Sequence, residues 1–307
     1  MRTLKTFVAL RMPLTMKNVR RTTVSVIHYY TDKEEVKGNN MLQMPMLGAG
    51  TFRLKDDVAY QSVLTALELG YRHIDTAQIY GNEAEVGQAI QDSGVARDAI
   101  FLTTKVWIDK LAKATFAASV EESLEKLQTE YIDLLLIHWP LKNDAVPMAE
   151  YLAELKAVKD KGLVKHIGVS NFTNAQLEQA IAILGEGEIL TNQVEVHPYL
   201  QNRKVVACCR THGVMVTGYM PFAYGDVLKD AVIQGIAAKH TATAAQVVLA
   251  WMRQNDFVTI PSSTKVANLE SNLAAATLTL DAEDMASIAT LDRDHRLANP
   301  DFAPDWD

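Results

Sequence analysis

The chain has 307 residues, 48% of them hydrophobic, which is enough to bury the core of one large α/β domain. Its formal net charge is −7, and because residues 1–40 hold eight basic and three acidic side chains, the rest of the chain carries −12. An acidic body argues against a nucleic-acid partner, and no apolar run approaches the roughly 18 residues that cross a membrane.

The first 40 residues show no sustained helical or strand periodicity. We expect residues 1–40 to be a disordered leader. The other expectation is that the start codon has been placed too far upstream and that the protein begins at Met41 or Met44. The basic, acid-free run up to Arg21 leaves open a mitochondrial-type transit peptide. We expect residues 41–307 to form a single domain.

From Met44 onward, strand-like and helix-like segments alternate. The predicted strands are 44–50, 71–75, 100–105, 132–138, 164–169, 190–196, 214–219 and 257–261. The first predicted helix runs from a cap at Asp56-Asp57 to a stop at Gly70. The others are 82–91, 113–128, 148–160, 174–184, 202–211, 228–240, 243–254 and 266–276, with an extra helix at 281–291. Eight strands that alternate with helices predict the α/β class and a closed (β/α)8 TIM barrel.

Polar side chains recur at the ends of three successive strands. Asp75 ends the second strand, Lys105 follows 30 residues later and His138 a further 33, about one βα unit each time. A buried carboxylate is costly without a cationic partner, and Lys105 is the best candidate for Asp75. These residues, with Tyr80 in the loop after Asp75, are expected to converge at one end of the sheet.

The chain resembles the aldo-keto reductase superfamily, whose fold is the (β/α)8 barrel, and within it the 2,5-diketo-D-gluconate reductases, which also reduce methylglyoxal. The resemblance runs from about Leu47 to the C-terminus and implies a catalytic tetrad of Asp75, Tyr80, Lys105 and His138. It is carried by seven motifs: Leu47-Gly48-Ala49-Gly50-Thr51-Phe52, Asp75 through Tyr80, Thr104-Lys105, Ile137-His138-Trp139-Pro140, Ile167-Gly168-Val169-Ser170-Asn171-Phe172, Asn192-Gln193 and Ile260-Pro261-Ser262-Ser263.

Carbonyl reduction requires a hydride donor and a proton donor. Tyrosine is a poor acid at neutral pH, with an unperturbed pKa of about 10, and a nearby ammonium group lowers that pKa. Lys105 is expected to act in this way on Tyr80, while Asp75 holds Lys105 in place and keeps it charged. A neutral His138 would donate to the carbonyl oxygen and align it.

The resemblance implies NADPH as the cofactor. Gly48-Ala-Gly50 is not a dinucleotide fingerprint, since Arg53 stands where the third glycine belongs. The two glycines indicate instead that the strand end approaches a ligand closely. The residues implied for the cofactor are Gly50, Thr51, Asp75, Ser170, Asn171, Gln193, Tyr219, Met220, Pro221, Phe222, Tyr224, Ser262, Ser263, Thr264, Lys265 and Asn272.

The adenosine end departs from the family's pattern. The family commonly binds the 2′-phosphate of NADPH with Lys-Ser and an arginine six residues after that lysine. This chain has Ser262-Ser263-Thr264-Lys265 instead, with Asn268 at the arginine's position. Lys265 is then the only cation in the motif, so NADH remains a second possible cofactor.

The resemblance implies that Phe52, Trp107 and Trp139 form the substrate pocket beside Tyr80 and His138. The loops between the predicted elements are short, which favours a small carbonyl compound such as methylglyoxal or a keto-sugar acid, although no arginine cluster for a carboxylate is evident.

Two other function classes stay open: a non-catalytic barrel that binds nicotinamide as a sensor or channel-associated subunit, and a barrel aldolase or isomerase in which Lys105 forms a Schiff base. The only cysteines, Cys208 and Cys209, are adjacent, which predicts neither a metal site nor a disulfide framework. We expect a cytoplasmic monomer without a metal.

Overall fold

The computed structural model describes residues 44–142 and 145–307. The expectations for residues 1–40 therefore lie outside the described residues. Within the described ranges, no helix has the length and apolar character needed to cross a membrane.

Eight parallel strands form one sheet whose spatial order follows the chain, as expected of the predicted barrel. Its strands are β1 Ala49–Gly50, β2 His73–Asp75, β3 Phe101–Val106, β4 Ile132–Ile137, β5 Val164–Ser170, β6 Ile189–Glu195, β7 Met215–Tyr219 and β8 Phe257–Thr259. The α-helices of the described ranges are α1 Asp56–Leu69, α2 Glu83–Asp92, α3 Lys113–Lys126, α4 Met148–Asp160, α5 Asn174–Leu184, α6 Arg203–Thr211, α7 Ala231–Lys239, α8 Ala244–Gln254, α9 Val266–Leu273 and α10 Ala282–Ala289.

Backbone hydrogen bonds between the segment around β1 and β8 close the barrel. The amide of Gly48 donates to the carbonyl of Thr259 at 2.8 Å, and the amide of Gly50 donates to Pro261 at 3.1 Å. A Cβ atom at Gly50 would lie 2.4 Å from the carbonyl oxygen of Ile260. The segment that follows β8 therefore requires glycine here. The close approach of a ligand to this strand end stays a prediction.

Successive side chains of each strand point alternately into the barrel and outward, toward the surrounding helices. Leu134 and Leu136 of β4 pack with Phe101 and Val258 in a small apolar cluster, whereas Leu135 and its outward neighbours join the large core beneath the helices. Phe101 and Lys105 lie on the same face of β3, four residues apart. The lysine is therefore placed inside the barrel, toward the end at which the strands finish.

Each predicted strand and helix is found, but several bounds differ. The strand predicted at 44–50 is reduced to Ala49–Gly50, and the helix predicted at 228–240 begins at Ala231, after the 3-10 turn Val227–Lys229. The cap predicted at Asp56-Asp57 is wrong, because the N-cap residue of α1 is Lys55 and both aspartates lie in the first turn. The helix predicted at 266–276 ends at Leu273, and a short 3-10 turn, Ala274–Ala276, completes it.

Candidate active site

A cavity of about 1020 Å³ opens where the strands end. This is a typical size and place for a ligand site in an α/β barrel. Its lining includes most of the residues predicted for the site: Gly50, Phe52, Asp75, Tyr80, Trp107, His138, Trp139, Ser170, Asn171, Gln193, Tyr219, Met220, Pro221, Phe222, Tyr224, Ser262, Ser263, Thr264 and Lys265. The structure thus brings residues at or just beyond the ends of all eight strands into one cavity.

Asp75, at the cavity floor, and Lys105, beneath it, form a buried ion pair. The Nζ atom of Lys105 donates to Oδ1 of Asp75 at 2.5 Å and to the carbonyl oxygen of Thr76 at 2.8 Å. The other carboxylate oxygen of Asp75 accepts from Nε2 of Gln193 at 2.8 Å. Burial lowers the pKa of Lys105 and the Asp75 carboxylate opposes that effect. The pair is therefore a fixed local dipole with both partners hydrogen-bonded.

Tyr80 lies above this pair, in the short 3-10 turn Gln78–Tyr80. The Nζ atom of Lys105 is 5.1 Å from the centroid of its ring, and the side chain of Lys55 donates to its carbonyl oxygen. Burial raises the pKa of the Tyr80 phenol well above its usual 10, and Asp75 adds to the rise. The pKa of the phenol is therefore raised, not lowered as the presence of Lys105 predicts, because burial outweighs any effect of the lysine. The phenol is protonated at neutral pH.

His138 stands across from Tyr80 at the end of β4. The two ring centroids are 5.6 Å apart, with the planes at 77°. Burial, followed by the charge of Lys105, lowers the pKa of His138 well below 6.5. The imidazole is therefore neutral at physiological pH, and a neutral ring has one N–H that can donate to an oxygen atom.

A second linked group of side chains lies beside the tetrad. Nδ2 of Asn171 donates to the carbonyl oxygen of His138 at 3.0 Å, and Oδ1 of Asn171 accepts from the hydroxyl of Tyr219 at 2.8 Å. Ser170 donates to the carbonyl oxygen of Gln193 at 2.7 Å. Because Gln193 also binds Asp75, the hydrogen bonds run from the ion pair to the residues predicted for the nicotinamide.

The loop after β7 carries backbone strain. Met220 and Tyr224 adopt positive φ values of 53° and 54°, which are uncommon for residues other than glycine. The Tyr224 ring is 55% exposed and lies under the guanidinium of Arg53, 4.6 Å from ring centroid to Cζ. The bulk of Tyr224 is thereby placed at the rim, where Arg53 links this loop to the loop after β1.

The far end of the cavity is formed by the loop between β8 and α9. Ser263, Thr264 and Lys265 line it together with Asn268, and the amide of Lys265 donates to the Ser263 hydroxyl at 3.2 Å. Arg53 and Lys55 also line the cavity. Lys265 is therefore not the only cation of the cavity, although it is the only one in the motif after β8.

The C-terminal tail covers one side of the aromatic end. The Phe302 ring lies 5.5 Å from Trp107 and 5.4 Å from Trp139, measured between centroids, and is edge-on to both. The amides of Leu297 and Ala298 donate to the buried carboxylate of Glu195 at 2.9 and 2.7 Å, which fixes the start of the tail.

The cavity lining also contains residues that the sequence did not single out: Arg53, Leu54, Lys55, Ile79, Leu228, Leu297, Ala298, Asn299 and Pro300. Ile260, Pro261 and Asn268 belong to the motif after β8. Gly225 belongs to the segment 221–225, which the resemblance implies for the pyrophosphate, and Phe302 belongs to the short C-terminal tail, which in this family folds over the substrate mouth.

Three predicted site residues do not line the cavity. Lys105 is fully buried beneath it, and Thr51 donates from its hydroxyl to the carbonyl oxygen of Asp75 at 3.1 Å. Asn272 is 3% exposed within α9. Thr51 and Asn272 are therefore placed behind the cavity wall. The full burial of Lys105 also disfavours the Schiff-base alternative, which requires an amine that substrate can reach.

Comparison with known proteins agrees with this geometry. The model of the Aldo/keto reductase family matches residues 46–293. A methylglyoxal reductase DkgB of Escherichia coli O157:H7 is 57% identical over 267 residues, 87% of this chain and 100% of that protein. A glyoxal reductase of Bacillus subtilis is 41% identical over 273 residues, 88% of this chain and 97% of that protein. A solved structure assigned to a 2,5-diketo-D-gluconic acid reductase B superposes with a TM-score of 0.83 at 46% identity, over 86% of this chain and 94% of that one. The chain belongs to the aldo/keto reductase family and is an oxidoreductase with its (β/α)8 barrel fold.

Proposed function

We propose that the protein reduces small aldehydes and ketones, such as methylglyoxal or 2,5-diketo-D-gluconate, to alcohols with NADPH. The observation that carries the proposal is the placement of the Tyr80 phenol and the His138 imidazole over the Asp75–Lys105 pair, at an aromatic-walled end of the cavity. The names of two relatives, methylglyoxal reductase and glyoxal reductase, support the same substrate class.

The protein's own part of the reaction is to orient the carbonyl group and to supply a proton. The neutral His138 donates a hydrogen bond to the carbonyl oxygen and fixes its position. Tyr80 gives its hydroxyl proton to that oxygen as negative charge develops there, and the nearby Lys105 ammonium stabilises the phenolate that remains. Asp75 and the carbonyl of Thr76 hold that ammonium in place. The proton is recovered from solvent before the next turnover.

The donor set of the cavity fits a nicotinamide cofactor. A reduced nicotinamide supplies the hydride that the carbonyl carbon receives. Asn171, Ser170 and Gln193 offer amide and hydroxyl groups for a carboxamide, and Asn171 Oδ1 keeps one lone pair beyond its bond to Tyr219. The Tyr219 ring would stack on the nicotinamide. Gly50, Met220, Pro221, Phe222 and Tyr224 would follow the pyrophosphate.

The preference for NADPH over NADH is proposed to depend on the loop between β8 and α9. Ser262, Ser263, Thr264 and Lys265 offer hydroxyl, ammonium and backbone donors at the start of a helix, a favourable place for a phosphate. Asn268 adds an amide where the family commonly has an arginine. A modest preference for NADPH follows, with NADH as a usable second cofactor.

The aromatic end of the cavity suits a small, weakly charged substrate. Phe52, Trp107, Trp139 and Phe302 surround the space next to Tyr80 and His138. Arg53 is the arginine of the cavity lining, and its guanidinium already lies over the rings of Phe52 and Tyr224. Methylglyoxal therefore fits this end better than a keto-sugar acid, whose carboxylate would need that arginine to turn inward.

A panel of small carbonyl compounds, assayed for consumption of NADPH and of NADH, tests the proposal. We expect turnover of methylglyoxal and related aldehydes, with a higher kcat/KM for NADPH. The alternative is a barrel that binds nicotinamide without catalysis. Tight NADPH binding with no carbonyl-dependent consumption across the panel would establish that alternative and overturn the proposal.

We further propose that residues 41–307 act as a single catalytic domain, and that the enzyme works as a cytoplasmic monomer. Cys208 and Cys209 are both free thiols, which supports a reducing compartment. Sedimentation of the purified chain at micromolar concentration would test the monomer directly.

A further inference from the structure

Three side chains of metal-ligating type meet on the outer wall of the barrel, away from the cavity. Glu178 comes from α5, Cys208 from α6 and His212 from the residue after α6. One carboxylate oxygen, the Sγ atom and one ring nitrogen all lie within 4.8 Å of one another. We propose that this cluster binds a divalent transition-metal ion of the Zn²⁺ class.

The local fold explains why the three side chains face each other. The amide of His212 donates to the carbonyl of Cys208 at 3.2 Å, so the last helical turn of α6 sets these two residues four apart on one face. The neighbouring helix α5 supplies Glu178. Cys208 and His212 are half-buried and Glu178 is exposed. Two ligands are therefore held by a rigid helix end, and the third is a flexible side chain that can close on the ion.

The distances are compatible with a tetrahedral ion after a small contraction. Zn–S and Zn–N bonds of about 2.3 and 2.0 Å place neighbouring ligand atoms roughly 3.5 Å apart. The observed separations exceed this by at most about 1.3 Å, which small rotations of the Glu178, Cys208 and His212 side chains can take up. Three protein ligands leave a fourth position for water.

The donor types select the class of metal. A thiolate and an imidazole suit zinc and related transition metals, whereas calcium and magnesium require oxygen ligands. Glu186 adds a further carboxylate, with Oε1 3.4 Å from Nδ1 of His212. A carboxylate beside a ligating histidine orients the ring and raises its basicity.

The charges around Cys208 favour a cation. The carboxylates of Glu178 and Asp307 act electrostatically on its thiol. A metal ion binds the thiolate form, so the thiol must lose its proton. On binding, the S–H bond breaks, the metal–sulfur bond forms and one proton leaves to solvent. Metal affinity should consequently rise with pH.

The site links α5 to α6, so its effect falls on stability and on thiol reactivity. An ion that binds only the folded chain raises the apparent stability by mass action. A metal-bound thiolate is also less available to alkylating reagents, so metal should protect Cys208 from iodoacetamide.

The chain offers a clean background for the test. Its only cysteines are adjacent, and Cys209 is fully buried, so Cys209→Ala leaves Cys208 as the sole thiol. In full-length, chelator-treated Cys209→Ala protein, Co²⁺ should bind in one equivalent with a thiolate-to-metal charge-transfer band. Zn²⁺ should displace Co²⁺, slow alkylation of Cys208 and raise the Tm.

Three variants in that background decide whether the cluster is the site. Adding Cys208→Ser should remove the band, and adding His212→Gln or Glu178→Gln should weaken Zn²⁺ binding by about tenfold or more. Glu178 is exposed, so its amide variant keeps the fold, and circular dichroism checks the other two. The absence of a thiolate band in the Cys209→Ala protein would overturn the proposal, as would unchanged Zn²⁺ affinity in the His212→Gln protein.

Discussion

The two ends of the cavity are built in different ways. At the tetrad end, buried side chains from several strands hold one another: Asp75 binds both Lys105 and Gln193, and Asn171 binds both His138 and Tyr219. At the far end, Ser263, Thr264 and Lys265 project from a single loop and are partly or fully exposed. Substitutions at the tetrad end should therefore be costly, whereas the loop before α9 can change with small effects.

The largest effect is expected from Tyr80→Phe. The variant keeps the ring contacts with Phe52 and His138 but removes the hydroxyl that we propose as the proton donor. We expect kcat to fall roughly 10²–10⁴-fold, the usual contribution of a positioned acid, while the Kd for NADPH stays nearly constant. Steady-state kinetics and cofactor titration check both values. Wild-type turnover in the variant would contradict the assignment.

Lys105→Met should unfold more easily as well as lose activity. It leaves the 2% exposed Asp75 carboxylate without its cation, and breaking a buried pair in this way costs about 3–5 kcal/mol. Urea unfolding measures the change. The double variant Asp75→Asn/Lys105→Met is the matched control, and it should regain part of the stability but none of the turnover. Equal instability of the single and double variants would show that the uncompensated charge is not the cause.

The buried histidines predict a loss of stability in mild acid. Burial lowers the pKa of His73 and of His138 below 6.5, so the unfolded chain binds protons that the folded chain does not. The free energy of unfolding should therefore fall as pH drops below about 6.5, by up to about 1.4 kcal/mol per pH unit for each histidine. Urea unfolding near neutral pH and at roughly pH 5.5 measures the slope. The slope should be smaller in His138→Gln, and an identical slope would refute the assignment to His138.

Phe302→Ala tests whether the C-terminal tail forms one wall of the substrate pocket beside Tyr80 and His138. The ring lies edge-on to Trp107 and Trp139, so its removal opens the aromatic enclosure. We expect the KM for methylglyoxal to rise about tenfold, the range for loss of a large apolar contact, with kcat and NADPH affinity little changed. An unchanged KM would place the substrate away from the tail.

The smallest effect is expected at the far end. Lys265→Ala removes an exposed ammonium and should raise the KM for NADPH several-fold, since an exposed charge contributes about 1 kcal/mol, while the KM for NADH stays constant. Lys156→Ala on α4 is the matched control with an exposed lysine outside the cavity. Equal changes in KM for the two cofactors would show that Lys265 does not bind the 2′-phosphate.

Asn268→Arg should increase the preference for NADPH over NADH.

Local sequence signals predict the barrel and the convergence of three of the four proposed tetrad residues. Strand and helix periods are visible in short windows, and polar residues at successive strand ends must converge once the strands are parallel. Asp75, Lys105 and His138 were placed by that rule, and the family resemblance added Tyr80, Ser170, Asn171 and Gln193.

Features that depend on distant partners could not be predicted in this way. The pKa of Tyr80 depends on the balance of burial and the Asp75–Lys105 pair, which a motif does not contain. Gly50 meets the carbonyl of Ile260, more than two hundred residues away in the chain. The Glu178–Cys208–His212 cluster likewise combines residues from two helices of the outer wall. The spacing of the two adjacent cysteines therefore could not predict it.

The claim that Tyr80 supplies the proton is tested most directly by replacing it with a fluorinated tyrosine of lower intrinsic pKa. The alkaline limb of kcat/KM for methylglyoxal reduction should move to lower pH by about the decrease in the pKa of the free phenol. A limb that stays in place, with activity retained, would show that another group donates the proton.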